Sequence, residues 1–186
     1  MKIIAIVGSP RPTGNTNYLV DQALQEIATH GFEIEKIILS QYRVNPCLGH
    51  EDCASFPSCK QDDDDASWIL DKFTSADGVI LGSPVYYYNM SAQMKAFVDR
   101  NYFLYRHGIP LKALCAGLIV IAGSVGIDQT VRALRRFVKA STDITDDKIL
   151  TVTGYAHQPG EVKGNLTLVE EARKLGERMV KILTSV

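Results

Sequence analysis

A chain of 186 residues with a net charge of −1 is one domain in size, and it has no basic excess to suggest a nucleic acid or an anionic membrane as partner. Its hydrophobic share of 46% and charged share of 22% are those of an ordinary globular protein. No apolar run approaches the ~20 residues that span a bilayer, and the N-terminus enters a strand without a leader pattern, so a cytoplasmic location is expected.

In chain order, Ile3, Ile4, Ala5, Ile6 and Val7 read as a strand buried on both faces, as in a parallel sheet. The run ends at Gly8 and Ser9. A loop with Pro10, Pro12 and Gly14 then leads into a helical pattern over roughly 15–30, with Leu19, Val20, Ala23, Leu24 and Ile27 on one face. Strand, small-residue loop and helix start together make a device for holding a phosphate. Unpaired N–H groups point at the anion, and the helix dipole adds to the attraction. Ser9, Thr13, Asn15 and Thr16 supply side-chain donors at this mouth, and Arg11 supplies a charge.

A second strand is expected over 34–39. The segment of about 40–61 carries three of the four cysteines and is longer than structureless loops usually are unless they have a function. The acids 62–65 read as the start of a helix that continues through Trp68, Ile69, Leu70 and Phe73, a metal site being the lesser reading. A third strand at 78–82 is followed by the loop SPVYYYNM. Ser91 is expected to cap a helix whose core face holds Met94, Phe97 and Val98. A fourth strand, 115–122, ends in GSVG at 123–126. A helix of about 128–140, a strand at 149–153, a loop at 155–164 and a helix of about 168–183 complete the pattern.

Five strands alternating with helices give an α/β doubly wound domain spanning 1–186, with the cysteine segment as an insertion at about 40–61. The order 2-1-3-4-5 fits five strands, and it gathers the loops after strands 1, 3 and 4 at one ligand crevice. The first loop lacks the G-x-G-x-x-G of dinucleotide sites, and Asn15 stands where a P-loop needs lysine, so a mononucleotide monophosphate fits better. In the second loop Pro84 stiffens the turn, Val85 and Tyr86 to Tyr88 offer stacking area, and Asn89 and Ser91 address polar edges. The third loop, with Gly123 and Ser124, admits close backbone approach.

GSPRPTGNTNYLV followed by GSPVYYYNMSAQMKAFVDR resembles the NADPH-dependent FMN reductase group of flavodoxin-like proteins, and within it the iron–sulfur flavoprotein type. The resemblance implies a flavodoxin-like three-layer sandwich with a five-stranded parallel sheet, binding FMN noncovalently. Ser9, Arg11, Gly14, Asn15 and Thr16 would surround the phosphate. Pro84, Val85, Tyr86, Asn89 and Met90 would lie along the isoalloxazine, with Gly123 and Ser124 on its other side. Lys95, Asp99 and Arg100 match the family too, with helix pairing and capping as their expected job. NAD(P)H or a redox protein is the implied donor, a small molecule or protein the acceptor, and a homodimer or homotetramer the assembly. The flavin carries the chemistry, so no catalytic side chain is assigned.

The iron–sulfur type has C-x2-C-x2-C-x5-C around a 4Fe–4S cluster. Here the spacing is kept by Cys47, His50, Cys53 and Cys59, with histidine at the second position. Histidine can replace cysteine on iron. A cluster with one histidine ligand, a Cys3His zinc site, a labile cluster and a loop without metal therefore stand as alternatives. Cys115, inside the fourth strand, reads as core, and no disulfide is expected. His30 closes the first helix, His107 sits in a turn, and His157 lies on the ligand edge, within reach of flavin or substrate. Three functions follow: an FMN-dependent NAD(P)H oxidoreductase of flavin or quinone reductase type, an iron–sulfur flavoprotein relaying electrons, and a non-enzymatic binding module. The relay alone requires a metal in the cysteine loop.

Overall fold

In the computed structural model, which describes residues 1–185, five parallel strands form one sheet. They are β1 (Lys2–Val7), β2 (Glu33–Ile38), β3 (Gly78–Tyr86), β5 (Cys115–Ala122) and β6 (Ile149–Tyr155). A sixth, short strand, β4 (Asn89–Met90), pairs antiparallel with the end of β3. The order β2-β1-β3-β5-β6 is the 2-1-3-4-5 order expected for the five parallel strands. The helices are α1 (Asn15–Thr29), α2 (Ala66–Ser75), α3 (Ala92–Arg100), α4 (Tyr102–Arg106), α5 (Ile127–Ser141) and α6 (Leu166–Thr184).

Alternation along the strands divides the core into two layers. Ile3, Ala5 and Val7 face Leu19, Val20 and Ala23 of α1 and Ala172, Leu175 and Met179 of α6. Ile4 and Ile6 face the other way, into a layer shared with Phe73 of α2, Phe97 of α3 and Leu134 of α5. Covering both faces accounts for the unbroken apolar runs in β1 and β5. Helices α1 and α6 approach closely at Gly176, where a Cβ would stand 2.5 Å from the Ala23 carbonyl oxygen.

Two elements depart from expectation in ways that matter to function. Strand β3 does not stop at Gly82: Ser83 and Pro84 stay in register with Val120 and Ile121 of β5, so the second ligand loop is the end of a strand turned into a hairpin. The β-branched and aromatic residues Val85 and Tyr86 favour that extension. The short α4 was also not foreseen; it carries His107 at its C-terminal cap.

Cys115 lies in β5 with no exposure, and burial pushes its thiol up to about 12. Maleimide treatment of the native chain at pH 7 is expected to leave Cys115 unlabelled while Cys47, Cys53 and Cys59 react; labelling should reach Cys115 only in denaturant.

Candidate active site

A cleft of about 240 Å³ opens at the C-terminal edge of the sheet. It brings together Ser9, Arg11, Gly14, Asn15 and Thr16 after β1, Pro84, Val85 and Tyr86 at the end of β3, Gly123 after β5, and His157 after β6. Three other candidates stand outside its lining. Met90 is buried in the core, Asn89 turns its Oδ1 to the Met90 N–H (2.8 Å), and Ser124 is exposed beside Gly123.

The start of α1 is left open. Its cap residue Gly14 is extended, no side chain caps the first N–H groups, and its first turn carries no acid. By contrast α3 and α6 satisfy their own starts: Ser91 accepts from the Met94 N–H and Asn165 from the Leu168 N–H. The donors left open at α1 face the same cleft as exposed Arg11, which is the arrangement a phosphate requires. Behind the loop, buried Asn17 donates through Nδ2 to the Arg11 carbonyl (2.9 Å), and Ser9 Oγ accepts the Arg11 N–H (3.3 Å).

Asn15 lines the cleft and also reaches across to the loop after β6. Its Nδ2 donates to the Gln158 carbonyl (2.9 Å) and its Oδ1 accepts the Val162 N–H (3.4 Å). Both ends of the amide are thus engaged in latching the loop after β6. Glu161 braces that loop by accepting the N–H groups of His157 (2.7 Å) and Gln158 (2.8 Å). Those backbone bonds, Gln158 first, hold the Glu161 carboxyl below its usual range.

The hairpin is strained where it turns. Tyr87 and Tyr88 both adopt left-handed backbone, with φ of 50° and 69°. A two-residue turn of this hand suits the twist of the strands but is normally made by Asn and Gly. Tyr87 is 98% exposed, so the strain is not repaid by burying its ring. Gly126 lets the hairpin lie against the start of α5. At its φ of 92° a Cβ would stand 2.7 Å from both Tyr88 Cα and Val85 Cγ1.

Ser91 ties the first two loops together. Its Oγ donates to the Gly8 carbonyl (2.7 Å) and accepts the Met94 N–H (3.2 Å), while its own N–H donates to Ser83 Oγ (3.1 Å). Gly8 has to lack a side chain here, since a Cβ would stand 2.6 Å from Ser91 Oγ. Ser91→Ala strands a buried carbonyl and a helix N–H at once. A loss of about 2 kcal/mol in urea unfolding is expected, in the range for an orphaned buried group plus a lost cap.

The model of the NADPH-dependent FMN reductase family matches residues 1–145. The chain belongs to that family. It is 38% identical to an iron–sulfur flavoprotein of Methanocaldococcus jannaschii, over 98% of this chain and 97% of that one. It is 36% identical to an iron–sulfur flavoprotein of Archaeoglobus fulgidus, over 100% of this chain and 81% of that one. Among solved structures, an NAD(P)H:quinone oxidoreductase of Methanothermobacter marburgensis shares the fold with a TM-score of 0.74 at 16% identity, covering 95% of this chain and 94% of the other. This member of the FMN reductase family is an FMN-dependent oxidoreductase using NAD(P)H, so the non-enzymatic reading falls away.

The reductase also carries the cysteine segment, which runs between a 3₁₀ turn (Leu39–Gln41) and α2. Cys47, His50, Cys53 and Cys59 are all half-buried in it. Burial pushes the Cys53 thiol up, and the nearby Cys59 and Cys47 add to the effect. Among the described residues no three Cys, His, Asp or Glu side chains converge on a point as the ligands of a single ion do. His107 braces the segment through ring nitrogens 2.8 Å from the Phe103 carbonyl and 2.9 Å from that of Phe56.

Two expectations about charges change here. Lys95 and Asp99 form the helix pair foreseen, but Arg100 is neither a surface pair nor a cap: it is 2% exposed and faces Asp64 at 2.5 Å. The acids 62–65 precede α2 as foreseen, yet Asp65, at the cap position, makes no side-chain cap bond. It reaches back to accept the Arg43 N–H (2.7 Å), while Asp64 accepts the N–H groups of Asn45 (2.8 Å) and Ala66 (3.0 Å). The acid run thus ties down the cysteine segment as well as starting a helix.

Proposed function

We propose that FMN occupies the cleft at the C-terminal edge of the sheet, and that the reductase passes electrons from NAD(P)H through it to a small-molecule acceptor of quinone or flavin type. The observation that carries this reading is the uncapped start of α1, facing the same cleft as Arg11, the strained hairpin and the glycine loop. The open N–H groups of α1 and the Arg11 guanidinium would hold the phosphate, with Ser9, Gly14 and Thr16 shaping its seat. Pro84, Val85 and Tyr86 would lie along the ring on one side, and Gly123 and Ser124 on the other. Asn15 would act at one remove, by holding the loop that carries His157 over the mouth.

Bound FMN supplies both hydride and single-electron chemistry. The chain's share is to orient it and to place donors near the charge that reduction develops. The exposed Tyr86, Tyr87 and Tyr88 offer a surface for a second copy of the chain, which supports a homodimer or homotetramer. The whole chain, 1–186, is read as a single cytoplasmic domain.

A second reading, an electron relay through an iron–sulfur centre, is supported by three cysteines and His50 in one segment and by the similarity to archaeal iron–sulfur flavoproteins. The cysteine segment is anchored at the end of α3 remote from Ser91. Nine residues at ~1.5 Å each place that anchor about 13 Å from the Ser91 end of the helix. Anaerobic titration of the FMN-loaded chain with NADPH tests the two readings. Stoichiometric bleaching of the flavin band is expected from a reductase. No bleaching with NADPH or NADH, but reduction by an iron–sulfur donor protein, would overturn the reductase reading for the relay.

A further inference from the structure

We propose that Arg100 is a positioning residue for the cysteine loop: it closes the neck of the loop and presents an N–H to the sulfur of Cys59. Its guanidinium makes four contacts there. Nη1 donates to Asp64 Oδ2 (2.5 Å) and stands 3.3 Å from the Asn45 carbonyl oxygen. Nη2 donates to the Gln61 carbonyl (2.5 Å) and faces Cys59 Sγ at 3.7 Å.

Asn45 lies two residues before Cys47, and Gln61 two residues after Cys59. One planar fork therefore joins both limbs of the segment that holds the cysteines and His50. Asp64 completes the neck, its side chain buried like that of Arg100. Burying a guanidinium is costly unless it is paired and hydrogen-bonded, and here every terminal nitrogen has a partner. A lysine would not serve, since a single ammonium lacks the fixed fork that spans two limbs. Nε of Arg100, buried and without a protein partner, leaves a further donor in the same neck.

The contact with Cys59 gives the device a chemical direction. A cationic N–H favours a sulfur in its metal-bound, negatively charged form, and hydrogen bonds to sulfur are among the factors that set the potential of an iron–sulfur centre. Cys47 receives a backbone donor instead, the Gly49 N–H at 3.4 Å. Of the cysteines in the loop, Cys59 is thus the one met by a side chain of a helix whose other end is tied, through Ser91, to the Gly8 carbonyl at the end of β1. The sulfur-directed part of the proposal rests on the relay reading; the loop-closing part does not.

Two arms test it, with Arg100→Lys and the double variant Arg100→Met/Asp64→Asn, which removes both buried charges together and so guards against simple misfolding. In the iron-free chain, trypsin cleavage after Arg43 and Lys60 should be faster than in the wild type by about tenfold or more, because cleavage follows the population of the open loop. FMN affinity should stay within about twofold, since the site is remote. Unchanged cleavage, or FMN affinity falling in step with it, would overturn the loop-closing role. In chains reconstituted anaerobically with ferrous iron and sulfide, Arg100→Lys should retain less iron and shift the reduction potential to more negative values. A wild type that takes up iron with a potential insensitive to Arg100 overturns the sulfur-directed role alone. A wild type that takes up no iron overturns that role and the relay reading together.

Discussion

Asp64→Asn is expected to destabilise the chain by about 3–5 kcal/mol, the cost of removing one partner from a buried ion pair. The Asp64 carboxylate accepts from Asn45, Ala66 and Arg100, and neither Asp64 nor Arg100 has solvent at its side chain to take over. An amide keeps one acceptor oxygen but turns an NH₂ toward groups that are themselves donors, and leaves the guanidinium without a counter-charge. Urea unfolding at pH 7 measures the loss.

The same carboxylate gives a pH signature. Burial raises the pKa of Asp64, but the Asn45 and Ala66 N–H groups and the Arg100 guanidinium outweigh it, and the net effect is to hold the carboxyl below its usual value. A group depressed on folding contributes stability above its unfolded pKa, about 3.9, and loses it as pH falls through the folded value. Wild-type stability should therefore decline on acidification below about pH 4, and Asp64→Asn should flatten that decline. A variant with the wild-type unfolding midpoint would show that desolvation of the pair cancels its attraction.

Gly126→Ala should weaken FMN binding by about 30-fold or more, or ~2 kcal/mol. A residue with a Cβ pays about 1–2 kcal/mol in left-handed backbone. The new methyl also meets Tyr88 Cα, which cannot swing aside as a side-chain tip can. Relief requires the hairpin to move off α5, and the hairpin carries Pro84, Val85 and Tyr86 on the cleft. Gly164→Ala is the control, because a Cβ there meets nothing within 4 Å. Titration of FMN against protein fluorescence reads the difference; equal affinity in Gly126→Ala would separate the hairpin from the cofactor.

The sheet was legible because burial on both faces writes itself as unbroken apolar runs, and because loops rich in small residues recur after strands 1, 3 and 4. The hairpin was less so: Pro84 reads as a loop former, yet at the end of β3 it only has to keep register with Ile121. Arg100 was the harder case. Its partner lies 36 residues away in an acid run that, taken locally, looks like a helix start, and nothing in a linear pattern marks a charge as buried. Asn15 shows the same limit, since its contacts at Gln158 and Val162 are 143 and 147 residues away.

Comparing FMN with riboflavin on the apoprotein tests most directly whether the start of α1 holds the phosphate of a flavin. The two ligands differ only by that phosphate. Open helix N–H groups and one guanidinium together contribute about 3–4 kcal/mol to a bound dianion, so FMN should bind about 100-fold or more tighter than riboflavin, with the margin narrowing in high salt. Equal affinity for the two would contradict the account.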